Sequence, residues 1–502
     1  MSTLKVNVTA NYIGQIWTSV VMIAFVPLYM EILGSEAFGL VGIMLSLQAI
    51  SQLFDFGLGG AVNREISIRV NRKASCQSIS TLVRTIEWVV WPMSIIIGTL
   101  IFMCSGWLAE VWLHGKSFSD SEIGNALTII GIVVACFWPS NFYSNCLSGL
   151  ELQPLLNLII AVSTTVRCVG VLPCLYSIEP SITVFLWWNA IIGIVQTLVL
   201  MCAVWWKLPK IASGRSFQFD EIKLISNFAA GVFLITLLAL MLTQIDRLML
   251  AGLTSLSDLG HYTIAVSVSA GVGRLILPIF NALYPRFSRL VSLRDGASML
   301  ILYRQGCQLA SVILSVIASV LIVFSEQIIL LWTGDAHLSN QVKDIVAIMV
   351  AGVAINGLLN IPYAYQLANG WTNLSVLANG LSLLFAVPFC FWAISNYGML
   401  GAASLSVVLN LANVFITLPI MHSRLMPGKW GQWFFKDSLP AILVAFCSSI
   451  ICLNIIPEIT RDLIGFVSLV VTCIVVGILT GLSSSVVRLW VVSFFLNRKT
   501  LG

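Results

Sequence analysis

Apolar stretches of about 20 residues, divided by short polar breaks, recur along the whole of this 502-residue chain. Wound as an α-helix at about 1.5 Å per residue, such a stretch matches the thickness of a bilayer's hydrocarbon core, about 30 Å. The chain therefore reads as an all-α polytopic membrane protein. About 14 spans fit, at 12–32, 38–58, 82–104, 124–146, 154–176, 183–206, 225–252, 259–284, 303–324, 343–366, 374–395, 399–421, 438–456 and 463–482. Hydrophobic residues make up 58% of the chain and charged residues 9%, whereas an average soluble chain is roughly a quarter charged. The longest connection is about 20 residues, which excludes a large extramembrane catalytic, nucleotide-binding or receptor domain.

A net charge of +5 raises the question of a nucleic-acid partner, but the positions of Lys and Arg mark topology instead. With the N-terminus inside, the inner connections hold Arg64, Arg69, Arg72 and Lys73; Lys207, Lys210, Arg215 and Lys223; Arg286, Arg289, Arg294 and Arg304; and Arg424, Lys429 and Lys436. Lys5, Arg488, Arg498 and Lys499 join them, giving about 19 of the 26 basic residues, against Lys116, Lys343 and Arg461 outside. This bias sets both termini in the cytoplasm. The first stretch contains Gln15 and Trp17 and lacks a small-residue cleavage site, so it is expected to remain as a span. Trp107, Trp112, Trp205, Trp206, Trp332, Trp430 and Trp433 gather near span ends, where an amphipathic ring suits the headgroup zone. The 12 cysteines lie mostly inside spans and form no Cys-x-x-Cys pair, so they read as packing residues.

Internal repetition is weak but in register. Gly39 and Gly260, Gly149 and Gly370, and Asn189 and Asn410 are each 221 positions apart, and Pro139 and Tyr143 are echoed by Pro362 and Tyr365. This suggests that spans 1–6 are duplicated as spans 7–12, giving two parallel bundles around a central cavity. The expected divisions are residues 1–215, residues 216–424, and two further spans with a cytoplasmic tail in 425–502.

Seven ionisable groups fall within spans or at their ends: Asp55, Arg84, Glu87, Arg167, Asp246, Arg247 and Arg274. Each costs about 2.5–3.5 kcal/mol at the bilayer centre on insertion scales, so depth decides which of them need a functional reason. Arg84 and Glu87, three apart, can pair on one helix face or serve transport. Asp246 and Arg247 are neighbours and point in different directions; Arg247 either lines a cavity or reaches outward to headgroups. Arg167 and Arg274 lie about 20 Å from their entry surfaces, with no acidic residue three or four positions away. An Arg at that depth faces a water-filled cavity or an interhelical salt bridge, for Arg167 with Glu87 or Asp55.

A cavity lined by Arg selects anions, because the planar guanidinium binds phosphate oxygens bidentately and stays charged. Arg167, Arg274, Arg84 and Arg247 are thus candidate pyrophosphate ligands, and Asp55, Glu87 and Asp246 candidate ion-coupling or ion-pair groups. Gln15, Gln48, Gln52, Asn141, Asn145, Gln196, Gln244, Asn281, Asn356, Asn360, Asn410 and Asn413 supply uncharged polar groups that suit sugar hydroxyls or bond one helix to another. Gly271, Gly273 and Pro278 around Arg274, with Pro139 and Pro362, are hinges or packing kinks.

Other motifs fail on their spacing. Gly115-Lys116-Ser117 resembles the end of a phosphate loop, but the required first glycine falls at Glu110. His114, His261, His337 and His422 make no metal-ligand pair, and Gly477 with Gly481 is a packing signal. No nucleophile triad can be placed, so neither a cofactor nor enzymatic activity is expected.

Several short motifs resemble polysaccharide flippases of the Wzx type. Asp55-Phe56-Gly57-Leu58 followed by Arg64 is similar to the segment closing their second span, and Gln244-Ile245-Asp246-Arg247 through Gly260-His261-Tyr262 to their seventh-span pattern. Gly34-x4-Gly39, Ala368-Asn369-Gly370 and Gly398-Met399-Leu400-Gly401-Ala402-Ala403 are similar to further landmarks, so the resemblance covers roughly residues 8–421. It implies the MATE-like exporter superfamily, with two six-helix lobes around a cavity of alternating access. It also implies export of an undecaprenyl-pyrophosphate-linked oligosaccharide across the bacterial inner membrane, for O-antigen, capsule or exopolysaccharide assembly. The implied partners are that lipid-linked oligosaccharide, membrane lipids, and the polymerase and chain-length machinery of polysaccharide assembly. Two alternatives stay open. One is a multidrug, cation-coupled exporter of the same superfamily, although cationic drugs need deep carboxylates and the deepest charges here are Arg. The other is a membrane glycan polymerase or ligase, although such enzymes place catalysis in a large outer loop and the loops here are short.

Overall fold

A computed structural model of the protein describes residues 2–71, 76–113, 115, 117–208, 218–455 and 463–488, with side chains except at 2–9, 71, 76, 224–232, 234–236 and 463. The side chains of Lys5, Arg72, Lys73, His114, Lys116, Lys210, Arg215, Arg461, Arg498 and Lys499 lie outside this set. Every described element is helical, and the chain divides into two compact units, Met1–Gly260 and His261–Gly502.

The first unit contains α1 (Ser2–Ser51), α2 (Leu58–Asn71), α3 (Cys76–Trp107), α4 (Asp120–Gly149), α5 (Gln153–Ser177), α6 (Ile182–Lys207), α7 (Phe219–Leu253) and the first turn of α8 (Leu256–Arg274). Within it α4 packs between α3 and α6, α1 packs on α5 and α7, and α2 lies against α4 and α7. The second unit holds the rest of α8, then α9 (Leu277–Leu293), α10 (Gly296–Val323), α11 (Ser325–Thr333), α12 (Ala336–Ala368), α13 (Asn373–Ala412), α14 (Leu418–Leu425), α15 (Trp430–Gln432), α16 (Leu439–Ile455) and α17 (Leu463–Ser483). Here α10 is central, touching α9, α12, α16 and α17.

Eleven helical segments among the described residues are long and apolar enough to cross a membrane. Met103, Leu384, Ile464 and Ile478 are among many large apolar side chains left exposed, as expected of faces whose solvent is lipid. Each of the fourteen expected spans falls on helix over most of its length, but three boundaries differ from expectation. The polar breaks after spans 1 and 11 are not loops. Helix continues on both sides of a single off-helix glycine, Gly34 (φ 81) or Gly398 (φ 56), because glycine turns the chain at a φ closed to other residues. Span 8 is not one helix: it breaks at Leu275–Ile276, directly after Arg274, and restarts with Pro278 in the first turn of α9.

The cap of α10 is local. Asp295 accepts a hydrogen bond from the Ser298 N–H (3.0 Å), and its bonds to Ser298 hold this carboxyl below the usual aspartate range. The capping contribution is therefore present above the ordinary aspartate pKa and is lost only as pH falls through the lowered value.

Gly39 and Gly260, the first pair of the repeat, meet each other within the first unit. A Cβ on Gly39 would overlap the Leu256 carbonyl, and one on Gly260 would overlap the Ser35 carbonyl. Residues 35 and 256 are themselves 221 apart, so the contact is reciprocal under the repeat, and Ser35 Oγ and Ser257 Oγ bond beside it at 2.8 Å. Here the helices approach backbone to backbone. Gly260→Ala is expected to lower stability by about 1–3 kcal/mol through overpacking, read as a lower Tm in detergent, whereas Gly296→Ala, where a Cβ meets open space, should leave Tm unchanged.

Candidate functional site

The polar groups at membrane depth in the first unit sort by partner. Glu87 on α3 is 4% exposed and fully bonded: Oε2 accepts from Arg84 Nη1 (2.9 Å), while Oε1 accepts from Tyr143 Oη (2.8 Å) and Trp205 Nε1 (2.7 Å). Trp91 Nε1 donates to the Tyr143 hydroxyl at 3.0 Å, and the Arg84 guanidinium lies 5.8 Å from the Trp205 ring centre. Spacing of three on one helix brings Arg84 and Glu87 together. Trp205, which looks like a headgroup anchor in sequence, instead turns its indole N–H inward to this carboxylate.

Asp55 closes a turn. Its Oδ2 accepts from the Gly59 N–H (2.9 Å) at the start of α2, where the helix dipole favours a negative charge, while Phe56 (φ 48) and Gly57 (φ 78) turn the chain. A Cβ on Gly59 would lie 2.7 Å from Asn145 Nδ2 and 3.1 Å from Asp55 Oδ2, so the Asn145 amide would have to shift to admit one. The Asp-Phe-Gly-Leu-Gly-Gly run is thus a compact cap packed against α4, with Asn145 tied back to the Asn141 carbonyl at 2.9 Å.

Arg167 on α5 is paired neither with Glu87 nor with Asp55, and with no other carboxylate among the described residues. Its guanidinium lies 5.3 Å from the Phe137 ring centre, and its carbonyl accepts from Trp188 Nε1 (3.1 Å). On α7, the Asp246 carboxylate accepts from the Arg247 N–H at 2.8 Å, and both side chains are half-buried. Ser46 of α1 lies with Arg247, Leu248 and Ala251, and Phe56 packs on Phe233 (5.2 Å), so α1 and α7 run antiparallel. Ser46 Oγ, Gln48 Nε2 and Gln244 Oε1 are buried without a bonding partner. Gln15 is exposed, and Gln52 and Gln196 are half-buried.

In the second unit Arg274 is exposed at the last position of α8, where a cation suits the helix dipole. Asn356 Nδ2 donates to Asn410 Oδ1 (3.0 Å), and Asn410 Nδ2 donates to the Gly352 and Ser406 carbonyls, so this pair joins α12 to α13. Asn410 and its repeat counterpart Asn189 each bond the carbonyl four residues back, at 2.8 Å. Asn413 Oδ1 accepts from Thr417 Oγ1, and Asn281 on α9 is exposed.

Two clusters escape sequence reasoning because their members are distant in the chain. Arg69 is raised above its ordinary pKa; burial opposes the charge, but bonds and charge from Glu221 and Glu65 outweigh it. It also donates to Ser78, so one guanidinium ties α2 to the starts of α3 and α7. In the second unit Asp437, 1% exposed in its side chain, accepts from Arg304 (3.0 Å) and from Gln308 Nε2 (2.7 Å). Gln308 Oε1 in turn accepts from Ser484 Oγ, Ser485 Oγ and the Val486 N–H. Beside this network His422 Nε2 meets Tyr303 Oη at 3.0 Å. Gln308→Leu should cost about 1–3 kcal/mol by leaving these buried groups unsatisfied, measured as a Tm decrease, and Gln308→Glu should also lower Tm, because it keeps the acceptor for the Ser484–Val486 end but sets a second carboxylate against buried Asp437.

The sequence profile of the polysaccharide biosynthesis protein family matches residues 4–291, more than half of the chain. The chain belongs to this family. The MatE profile matches residues 231–392, a smaller share of the chain. A candidate O-antigen transporter of Shigella flexneri is 22% identical over 421 residues, 82% of this chain and 96% of that protein. Among solved structures, a lipid II flippase in an inward closed conformation superposes with a TM-score of 0.68 at 13% identity, covering 94% of this chain and 97% of that one. An inward-facing multidrug MATE transporter also gives 0.68, at 12% identity, but covers 81% of this chain and 94% of that one. These likenesses establish the fold of this family member, and the first extends into residues beyond 425.

Proposed function

We propose that this protein moves an undecaprenyl-pyrophosphate-linked oligosaccharide repeat unit from the inner to the outer face of the bacterial inner membrane, by alternating access, for O-antigen or related polysaccharide assembly. The observation that carries the reading is the state of the charges at depth. Glu87 is held by Arg84, Tyr143 and Trp205, and Asp55 caps α2, whereas Arg167 has an aromatic ring and no carboxylate beside it among the described residues. A guanidinium so placed suits a diphosphate, and Arg274 is a second candidate ligand, with Arg84 and Arg247 in supporting positions. Both termini are cytoplasmic in this reading, and 425–502 adds two spans to the repeated segments 1–215 and 216–424. Outward movement of about two negative charges is favoured by an inside-negative potential, at about 2.3 kcal/mol per charge per 100 mV, so ion coupling through Asp246 is not energetically required.

The test is deletion of the gene followed by locating the lipid-linked oligosaccharide. Accumulation on the cytoplasmic face supports the proposal, accumulation on the outer face indicates a polymerase or ligase step, and drug resistance on overexpression indicates a multidrug exporter.

A further inference from the structure

In the second unit α9 and α12 are brought together by a line of rings. Phe280 and Tyr284, four apart on α9, stack with centroids 5.9 Å apart and planes at 9°, and Phe280 stacks on Tyr363 of α12 at 6.3 Å and 25°. The outer two rings are open to their surroundings, Tyr284 at 37% and Tyr363 at 36% exposure. Amides share their helix faces. Asn281 lies three residues before Tyr284, and Asn356 and Asn360 lie seven and three before Tyr363, so each set occupies one side of its helix. Asn281 and Asn356 are exposed, and Asn360 is half-buried.

All six residues fall inside apolar segments that cross the membrane by length, 256–293 and 336–368. Asn356 donates to Asn410 Oδ1 and Asn360 to the Asn356 carbonyl, both at 3.0 Å, but Asn281 is exposed, and a lipid-facing surface does not carry an open amide, because hydrocarbon offers it no partner, so this face is turned to water. A wet surface of open, nearly parallel rings flanked by amides has the chemistry of a carbohydrate platform. Sugar C–H groups pack against the negative face of a ring while amides bond the hydroxyls.

The geometry points to a glycan subsite on α9 and α12, with Tyr284 and Tyr363 as stacking surfaces and Asn281 and Asn360 bonding hydroxyls. It rests on the reading of this protein as a flippase and adds the place where the sugar, as distinct from the diphosphate, is held. The α9 half of the subsite follows Arg274 in the chain by only a few residues, across the break at Leu275–Ile276.

Two probes separate the subsite from the broader reading: geranyl diphosphate, and the same lipid carrying N-acetylglucosamine. Each is titrated into the full-length protein in detergent by calorimetry. Wild type should bind the glycosylated probe more tightly than the bare one. Tyr284→Ala and Tyr363→Ala should each weaken the glycosylated probe about tenfold and leave the bare diphosphate unchanged, while Tyr363→Phe keeps wild-type binding because the ring remains. Arg274→Ala should weaken both probes. Equal affinity of wild type for the two probes, or Tyr→Ala variants that hold the glycosylated probe as wild type does, overturns the subsite and leaves the flippase reading standing. Failure of wild type to bind either probe overturns both.

Discussion

Cells in which Arg167 and Arg274 are both replaced by alanine are expected to lose surface glycan while the protein still reaches the membrane. A charge-assisted bond is worth about 1.5–3 kcal/mol, so each replacement should slow translocation by about 10- to 100-fold. Arg167→Lys should fall between wild type and alanine, since an ammonium keeps the charge but loses the bidentate fork and the stacking over Phe137. Immunoblots for surface glycan beside blots of the membrane fraction measure both quantities. Undiminished display from the double variant would remove these residues from the mechanism.

Glu87→Ala is expected to lower stability by about 3–5 kcal/mol. It removes the acceptor for Tyr143, whose side chain is fully buried, and for Trp205, and leaves Arg84 without its counter-charge. Arg84 is half exposed and can recover water, so most of the loss comes from the two aromatic donors. Glu87→Gln keeps one carbonyl acceptor and should recover roughly half of it. Thermal unfolding in detergent reads the order, Glu87 above Gln above Ala, and an alanine variant as stable as wild type would contradict the bonding described.

The helices were legible in the sequence because lipid allows so few other ways to satisfy a backbone. The Arg84–Glu87 pair was legible because spacing along one helix fixes it. Asp55 shows what depth alone does not reveal: beside its candidacy as an ion-coupling or ion-pair group, its oxygen satisfies a backbone N–H at the start of α2. Trp205 and Trp433 look like headgroup anchors, but one bonds Glu87 and the other is 2% exposed. The ring line of Phe280, Tyr284 and Tyr363 was not legible, since it joins residues about 80 positions apart through the packing of α9 on α12. Gly39 and Gly260, paired in the sequence only by their spacing, are also in contact.

The bond between Arg304 and Asp437 spans 133 positions of chain. During synthesis the arginine is therefore made long before its counter-charge, and it must wait without that carboxylate in the interval. Insertion of the last two helices then completes a charge left open earlier, which makes them a late checkpoint of assembly.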